Sequence, residues 1–325
     1  MNHILKNIHN DTHILKYFSS FITVSNGKVV HITEPSLSYC PLASHLHADF
    51  KKIKAAGSRT IKQAIRKTIE SKIKKYGFFT DNRKFTCNDI CVPYGASEMM
   101  MFALRKRKIS AAVVVCDGAG TVIVNKPEIV QGIGARMNSL VFTSPIKETI
   151  EKLKQLKCRI VSDDAWIDQV QGVREAAEKR YKTIAVTING HSSDCLKEIR
   201  KIESKYGISV TILVVCTTGV DEHNVSLIRR YADIVWSCAS MEIRKKIGSR
   251  AILQLSKQIP VFILTKKGID FVSAYTKNSK FIKNLDIKKQ YLVSGDKGIK
   301  RINIGNFSVF ISEAYLPVAG GRIPA

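Results

Sequence analysis

Short runs rich in valine and isoleucine alternate with helix-like patterns over the second and third parts of the chain. These runs lie at 111–116, 159–161, 183–188, 210–216, 234–238 and 260–265. Near-continuous apolar strands separated by helices are typical of βα units whose parallel sheet is covered on both faces. The pattern therefore predicts an α/β fold with a doubly wound, mostly parallel sheet.

The N-terminal third has a different pattern. Two apolar runs, 21–24 and 28–34, flank Asn26-Gly27, the pair that most readily forms a type I′ hairpin turn. In a predicted helix over 49–76, isoleucines recur every fourth residue and lysines and arginines fill the other positions. This region is therefore predicted to be a hairpin followed by a one-sided basic helix.

Charge and pattern together predict three parts. A basic N-terminal hairpin-plus-helix region covers 1–110, an α/β core covers 111–270, and a basic C-terminal extension packed on the core covers 271–325. Lys and Arg outnumber Asp and Glu by 52 to 27, a net charge of +25, and most of the excess lies in the two flanks.

The basic helix could bind nucleic-acid phosphates or an anionic partner, or it could simply be a solvated face. Nucleic-acid binding is the less favoured interpretation because no aromatic residues lie between the basic ones, although it is not excluded.

Several classes of protein are excluded by the composition. No apolar run approaches the roughly 20 residues that span a bilayer, so we expect no membrane partner. The first residues lack the apolar stretch of a secretory signal. Eight scattered cysteines do not form a disulfide framework, which agrees with a reducing compartment. We therefore expect a cytoplasmic protein.

Glycines and hydroxyl residues follow the predicted strands. They occur at 117–121, 216–219 and 238–240. In an open α/β sheet, ligands bind beyond the carboxyl ends of the strands, where such residues bring backbone N–H groups close to an anion. Neither a complete dinucleotide fingerprint nor a P-loop is present, and the alternative is that tight turns simply need glycine.

Cysteines, histidines and aspartates offer further chemistry. Cys116, Cys216 and Cys238 all end predicted strands, and a second group lies in the N-terminal third: Cys40, His45, His47, Cys87 and Cys91. Zinc or an iron–sulfur cluster would suit such ligands, but a cysteine at the end of a buried strand is often just a small hydrophobic residue. An aspartate after a strand, such as Asp117 or Asp168, is either an acid/base group or a helix cap.

A series of short motifs carries a family resemblance. The motifs are YCPL at 39–42, GFFTDNR at 77–83, GASE at 95–98, DGAGTVIV at 117–124, PEIVQGIG at 127–134, TSPI at 143–146, IDQVQGV at 167–173, TTG at 217–219 and CAS at 238–240. In this order and spacing the chain resembles the methanogenesis marker protein eight family. The resemblance implies a cytoplasmic archaeal protein that occurs with methanogenesis, and it carries over no catalytic residue.

The sequence thus predicts a methanogenesis-associated protein that binds a small anionic ligand or cofactor at the carboxyl edge of the sheet, and leaves open whether it is an enzyme. The alternative is a non-catalytic assembly or maturation factor that docks on an acidic protein complex. The candidate catalytic residues are Asp117, Asp168 and Cys238. The candidate ligand-binding residues are Asp117, Gly118, Gly120, Thr121, Gln131, Gln169, Thr217, Thr218 and Gly219. The candidate metal ligands are Cys40, His45, Cys87 and Cys91.

Overall fold

The protein folds as helices around two β-sheets in a computed structural model that describes residues 11–37, 40, 43, 50 and 57–317. The strands are β1 His13–Tyr17, β2 Ser20–Ser25, β3 Lys28–Ile32, β4 Ala111–Cys116, β5 Gly120–Val124, β6 Ser139–Thr143, β7 Arg159–Ile160, β8 Thr183–Asn189, β9 Ser209–Val215, β10 Ile234–Trp236, β11 Leu253–Leu255, β12 Val261–Ile263, β13 Tyr291–Ser294, β14 Lys300–Ile304 and β15 Phe307–Glu313. The helices are α1 Ser58–Tyr76, α2 Ala96–Arg105, α3 Pro127–Gly134, α4 Lys147–Gln155, α5 Gln169–Glu178, α6 Cys195–Tyr206, α7 Glu222–Tyr231, α8 Met241–Lys246, α9 Lys266–Ser273 and α10 Ser279–Lys283. None of these helices is long and apolar enough to cross a membrane.

The large sheet has the order β14-β15-β13-β11-β12-β10-β9-β8-β4-β5-β7. Neighbouring strands are parallel from β4 through β8 and β9 to β10, and between β11 and β13. The other pairs in this sheet are antiparallel. The fold is α/β with sheets of mixed orientation, and the mostly parallel, doubly wound sheet is not confirmed.

One reason for the difference is the segment that follows β4. The sequence suggested a crossover after Cys116, but Cys116 pairs with Gly120 across a tight turn, so β4 and β5 form a hairpin. Gly118 and Gly120 have positive φ values of 72° and 65°, which glycine adopts without a steric penalty. The glycines therefore shape a hairpin turn here and do not lead into a helix.

Both faces of the large sheet are covered. Alternate residues of β4 point to opposite sides, so Val114 joins the apolar cluster formed with α2, α3 and α9, whereas Val113 joins the cluster formed with α5, α6 and α7. The strands β8 and β9 are almost entirely buried between these layers. This burial on two sides explains why the sequences of β8 and β9 are mostly apolar.

The small sheet is antiparallel, in the order β3-β2-β1-β6, and α1 packs on its apolar face. The isoleucine stripe from Ile61 to Ile73 is buried in this contact, and Gly77 ends the helix in the left-handed conformation by donating its N–H to the Ile73 carbonyl. The predicted hairpin at Asn26-Gly27 and the helix over 58–76 are confirmed. The predicted helix does not run unbroken from 49 to 76, because Gly57 has an extended backbone and α1 begins at Ser58; residues 49 and 51–56 of that prediction lie outside the described residues.

Strand β6 comes from the part of the chain predicted to be the core, yet it pairs with β1. Two hydrogen bonds place this small sheet over the carboxyl ends of the parallel strands. The Gly118 N–H donates to Thr143 Oγ at 2.7 Å, and Asn189 Nδ2 donates to Ser139 Oγ at 3.0 Å. The division into three parts at 110 and 270 stays a prediction.

Candidate functional site

The small sheet and the carboxyl ends of β8, β9 and β10 border a polar region that we call the strand-end cleft, formed by Lys16, Ser139, His191, Cys216 and Cys238. Lys16 Nζ and the Thr218 carbonyl oxygen both lie 3.0 Å from His191 Nε2. Burial lowers the pKa of His191, and the positive charge of Lys16 lowers it further. Burial likewise lowers the pKa of Lys16. The region therefore gathers basic groups at the edge where α/β sheets commonly bind ligands.

Cys216, directly after β9, and Cys238, two residues after β10, have an unusual backbone. Their φ values are 59° and 47°, in the left-handed region that non-glycine residues rarely adopt. Such conformations cost on the order of 1–3 kcal/mol and cluster at functional sites. Both thiols are half-buried. Burial raises the pKa of Cys216 to about 12 and also raises that of Cys238, so both thiols are protonated at neutral pH.

Arg244 lies behind Cys238 and is only 4% exposed. Its Nη2 donates to the carbonyl oxygens of Cys238 at 3.0 Å and Gln258 at 3.1 Å, while its Nε has no acceptor. Ser237 Oγ is also buried without a partner. Within the described part of the chain, no carboxylate forms an ion pair with Arg244. The cleft is therefore backed by a buried positive charge that none of these residues neutralises.

The residues after β9 border the cleft, as the sequence suggested. Thr217 is buried and donates its hydroxyl to the Trp236 carbonyl at 2.6 Å. Thr218 Oγ accepts the Ala239 N–H at 3.2 Å, and its carbonyl oxygen faces Lys16 at 3.5 Å. Gly219 is exposed and has a φ of 77°. The structure thus brings three predicted ligand-binding residues together with Cys238.

Asp117 has a different environment. Its carboxylate forms a buried ion pair with Arg83, whose Nε lies 3.0 Å and 3.2 Å from the two oxygens, and it also accepts the Phe79 N–H at 2.7 Å. The guanidinium of Arg83 packs on the Phe78 ring, 3.7 Å from its centroid, and donates to the Gly132 carbonyl at 3.1 Å. Protein donors thus contact both oxygens of Asp117, which ties the 78–83 segment to the β4–β5 turn.

Other predicted site residues are engaged inside the protein. Thr121 Oγ donates to Gln169 Oε1 at 2.8 Å and accepts the Asp168 N–H at 2.8 Å. Gln169 Nε2 donates to the Thr187 carbonyl at 2.7 Å. Asp168 is the N-cap of α5 and accepts the Gln171 N–H at 2.8 Å. These three side chains hold the start of α5 against β5 and β8.

The two glycines of the β4–β5 turn are also closely packed. A Cβ atom on Gly118 would lie 2.8 Å from the Ile146 side chain. A Cβ atom on Gly120 would lie 2.3 Å from the carbonyl oxygens of Ala165 and Trp166. Glycine is therefore required at both positions for packing.

Gln131 lies close to two of the candidate metal ligands. Its Nε2 donates to the Asp89 carbonyl at 2.7 Å and to Glu98 Oε1 at 3.0 Å, and it lies 3.9 Å from Cys91 Sγ. The side chains of Cys91 and Cys87 lie near each other.

The remaining candidate metal ligands do not join this pair. Cys40 packs against the apolar cluster of the small sheet, and His45 and His47 lie outside the described residues. Cys116 interacts with Asp117, Arg83 and Cys158, away from Cys216 and Cys238. Over residues 11–37, 40, 43, 50 and 57–317, no three His, Cys, Asp or Glu side chains are placed to hold a metal ion.

Sequence reasoning missed Lys16, His191, Arg83 and Arg244. His191 follows β8 by two residues, so the rule that directs attention to strand ends would have found it. Lys16 lies on β1, which the sequence did not predict as a strand. Arg244 lies in the short helix α8, and no local pattern distinguishes it from an exposed arginine.

Comparison with known proteins extends over the whole of this region. The family described as "Uncharacterized protein conserved in archaea (DUF2099)" matches residues 13–277. The uncharacterized protein MJ0054 of Methanocaldococcus jannaschii is 36% identical over 262 residues, which are 79% of this chain and 88% of that protein. Neither description mentions methanogenesis. The match includes every residue of the strand-end cleft, and the chain belongs to this archaeal family.

Proposed function

We propose that the protein binds a small anionic ligand in the strand-end cleft. The observation that carries this proposal is Arg244, a buried guanidinium that has a donor without an acceptor and no carboxylate partner among the described residues. Burying an unpaired ion costs roughly several kcal/mol, and an anion beside it offsets that cost. We propose that a carboxylate, phosphate or sulfonate accepts from Arg244 Nε, and that the hydroxyl of Ser237, the other buried polar group without a partner next to Cys238, is a second donor.

The rest of the cleft supports the same class of ligand. Lys16 and His191 add donors on the side of the small sheet, and the net charge of +25 attracts anions over long range. We propose Thr217, Thr218, Gly219 and Cys238 as further ligand contacts. The geometry supports binding, and it assigns no group to acid/base work.

The other predicted site residues stay predictions. Their present contacts are made with the protein: Asp117, Gly118, Gly120, Thr121, Gln131, Asp168 and Gln169. We also propose that the protein is cytoplasmic and works alongside methanogenesis, which the motif resemblance supports.

The experiment is a thermal-shift series on the full chain. Three proteins are compared: the wild type, Arg244→Gln, and Arg250→Gln as a matched control at an exposed arginine. Each is mixed in turn with inorganic phosphate, sulfate, coenzyme M, coenzyme B, nucleotides and corrinoids. A ligand at 100 times its Kd stabilises by about 2.7 kcal/mol, which raises the Tm measurably. We expect at least one anion to raise the Tm of the wild type and of the control, and to raise that of Arg244→Gln much less.

Two results would count against the proposal. One is that no anion raises the Tm of the wild type. The other is an equal shift in Arg244→Gln and the control. If Arg244→Gln does not fold, Lys16→Met takes its place, because Lys16 is on the half-exposed side of the cleft.

A second candidate function is an assembly or maturation factor that docks on an acidic protein complex. It is favoured by α1, which exposes Arg59, Arg66, Lys74 and Lys75. Arg59 and Arg66 line a groove of about 690 Å³ between α1 and β3. Exposed basic residues of this kind set the rate and the salt sensitivity of association with acidic partners.

The test is a pulldown from cell extract at low salt. Glutamate at 59, 74 and 75 should abolish capture of an acidic partner, whereas glutamate at the exposed positions 179, 180 and 182 should not. Equal capture by both triple variants would eliminate α1 as the docking surface. Unrelated RNA and DNA in the same assay test the nucleic-acid alternative, which predicts binding that weakens steeply with salt.

A further inference from the structure

The segment between α1 and α2 holds two cysteines four residues apart, Cys87 and Cys91, which are not part of the strand-end cleft. Both are half-buried free thiols. The Cys87 N–H donates to the Glu128 carbonyl at 3.0 Å, and the Cys91 N–H donates to Glu98 Oε1 at 3.0 Å. The backbone of each cysteine is thus anchored to a helix that packs on the core, and the two side chains lie close enough for each to act on the other's charge.

Arg136 supplies a positive charge to this pair. Its Nη1 lies 3.9 Å from Cys87 Sγ, and its guanidinium lies over the Tyr76 ring, 4.3 Å from the centroid. No carboxylate within the described ranges forms an ion pair with Arg136. An arginine beside a thiol stabilises the thiolate, which is the nucleophilic form of cysteine.

Cys91 lies on the other side of the pair, next to Gln131. Burial raises the pKa of Cys91 to about 12, although Arg136 acts in the opposite direction. The two thiols have different neighbours: Cys87 is in contact with the guanidinium of Arg136, and Cys91 is next to the amide of Gln131. Two neighbouring thiols, one of them against a guanidinium, supply an attacking and a resolving cysteine for thiol–disulfide exchange.

Gln131 gives an independent indication that the site accepts another molecule. The side chain is fully buried, and its Nε2 lies 3.9 Å from Cys91 Sγ. Its Oε1 has no donor. Buried acceptors in proteins are nearly always satisfied, so an open acceptor on the amide group next to Cys91 suits a ligand that carries an N–H or O–H group.

We propose that Cys87 and Cys91 form a thiol–disulfide exchange site for small disulfides. The Cys87 thiolate attacks one sulfur of the disulfide, the S–S bond of the small molecule breaks, and a mixed disulfide forms on Cys87. The departing thiolate takes up the proton that Cys87 lost. Cys91 then loses its proton and attacks the Cys87 sulfur: the Cys87–Cys91 disulfide forms, the S–S bond between Cys87 and the small molecule breaks, and the departing second thiolate takes up the proton that Cys91 lost. Two electrons pass from the two cysteines to the small disulfide, which is reduced to two thiols.

The test uses the reduced full chain and an excess of hydroxyethyl disulfide, followed by intact mass and peptide mapping. The wild type should lose two hydrogens and keep no adduct. Cys91→Ser should instead accumulate the mixed disulfide on Cys87. Cys195 is the internal control, because it is also half-buried and burial raises its pKa to about 11, but no arginine of the described residues acts on its thiol. Cys87 should react at least roughly tenfold faster than Cys195.

Arg136→Gln should slow the reaction of Cys87 about tenfold, whereas Arg174→Gln, at an exposed arginine of α5, should leave it unchanged. Cys91→Ala repeats the trapping experiment with a different side chain in case the serine variant does not fold. The proposal is overturned if Cys87 reacts no faster than Cys195. It is also overturned if the wild type keeps the adduct without forming the Cys87–Cys91 disulfide.

Discussion

Replacing Asp117 with asparagine should destabilise the protein by about 3–5 kcal/mol, the usual cost of breaking a buried ion pair from one side. The side chains of Asp117 and Arg83 are each only 1% exposed, so water cannot solvate the charge left on Arg83. Asparagine keeps one carbonyl acceptor for the Phe79 N–H, but it carries no charge opposite the guanidinium. The loss therefore comes mainly from the uncompensated cation.

The measurement is urea unfolding followed by far-UV circular dichroism. Asp163→Asn is the matched control, because Asp163 is paired with Lys154 but its side chain is 80% exposed, and such surface pairs contribute about 1 kcal/mol or less. The double variant Arg83→Met with Asp117→Leu should recover part of the loss, since it removes both charges from the interior.

This prediction differs from the one that the sequence suggested. A charged functional role alone predicts that Asp117→Asn folds as well as the wild type and loses only function. If the free energy of unfolding of Asp117→Asn lay within about 1 kcal/mol of the wild type, the ion pair would not be the main role of Asp117.

Two further predictions concern packing and pH. Gly120→Ala should lower the free energy of unfolding by about 2–5 kcal/mol, because the new Cβ would lie 2.3 Å from the Trp166 carbonyl oxygen at a φ of 65°. Gly219→Ala, at a φ of 77° in open space, should lower it by about 1 kcal/mol. The urea midpoints of the two variants are compared, and equal losses would contradict the packing argument. Burial, together with the nearby charge of Arg136, lowers the pKa of Lys72 from 10.5 to about 7. Between about pH 7 and pH 10.5 the unfolded chain therefore binds more protons than the folded chain, and the free energy of unfolding should rise with pH. Lys72→Met should flatten this rise, measured as the urea midpoint at pH 7 and at pH 9.5, and an unchanged slope would refute the assignment.

Local pattern was a good guide to the elements of this fold and a poor guide to their pairing. The apolar runs at 111–116, 183–188 and 210–216 became β4, β8 and β9, because strands buried on both faces leave a continuous apolar signal. The direction of a neighbouring strand leaves no such signal. Strand β5 follows β4 after a three-residue turn and is antiparallel to it, which the glycines alone did not distinguish from a helix start.

The candidate site was predictable only where its residues follow strands. Thr217, Thr218 and Cys238 were found because the carboxyl ends of parallel strands share one edge. Arg244 could not be found, because its importance depends on burial and on the absence of a carboxylate among its described neighbours. Both properties arise from tertiary packing and leave no mark in the local sequence.

The pairing of β1 with β6 has a consequence for how the chain is made. His13 faces Thr143 across these strands, 130 residues later in the sequence. At a synthesis rate of about 5–20 residues per second, the ribosome needs on the order of 10 s to supply the partner. During that interval the hairpin has an unpaired edge and a half-formed apolar face, which is the kind of surface that aggregates or recruits chaperones. The N-terminal strand of the nascent chain is therefore the segment whose protection should govern the yield of folded protein.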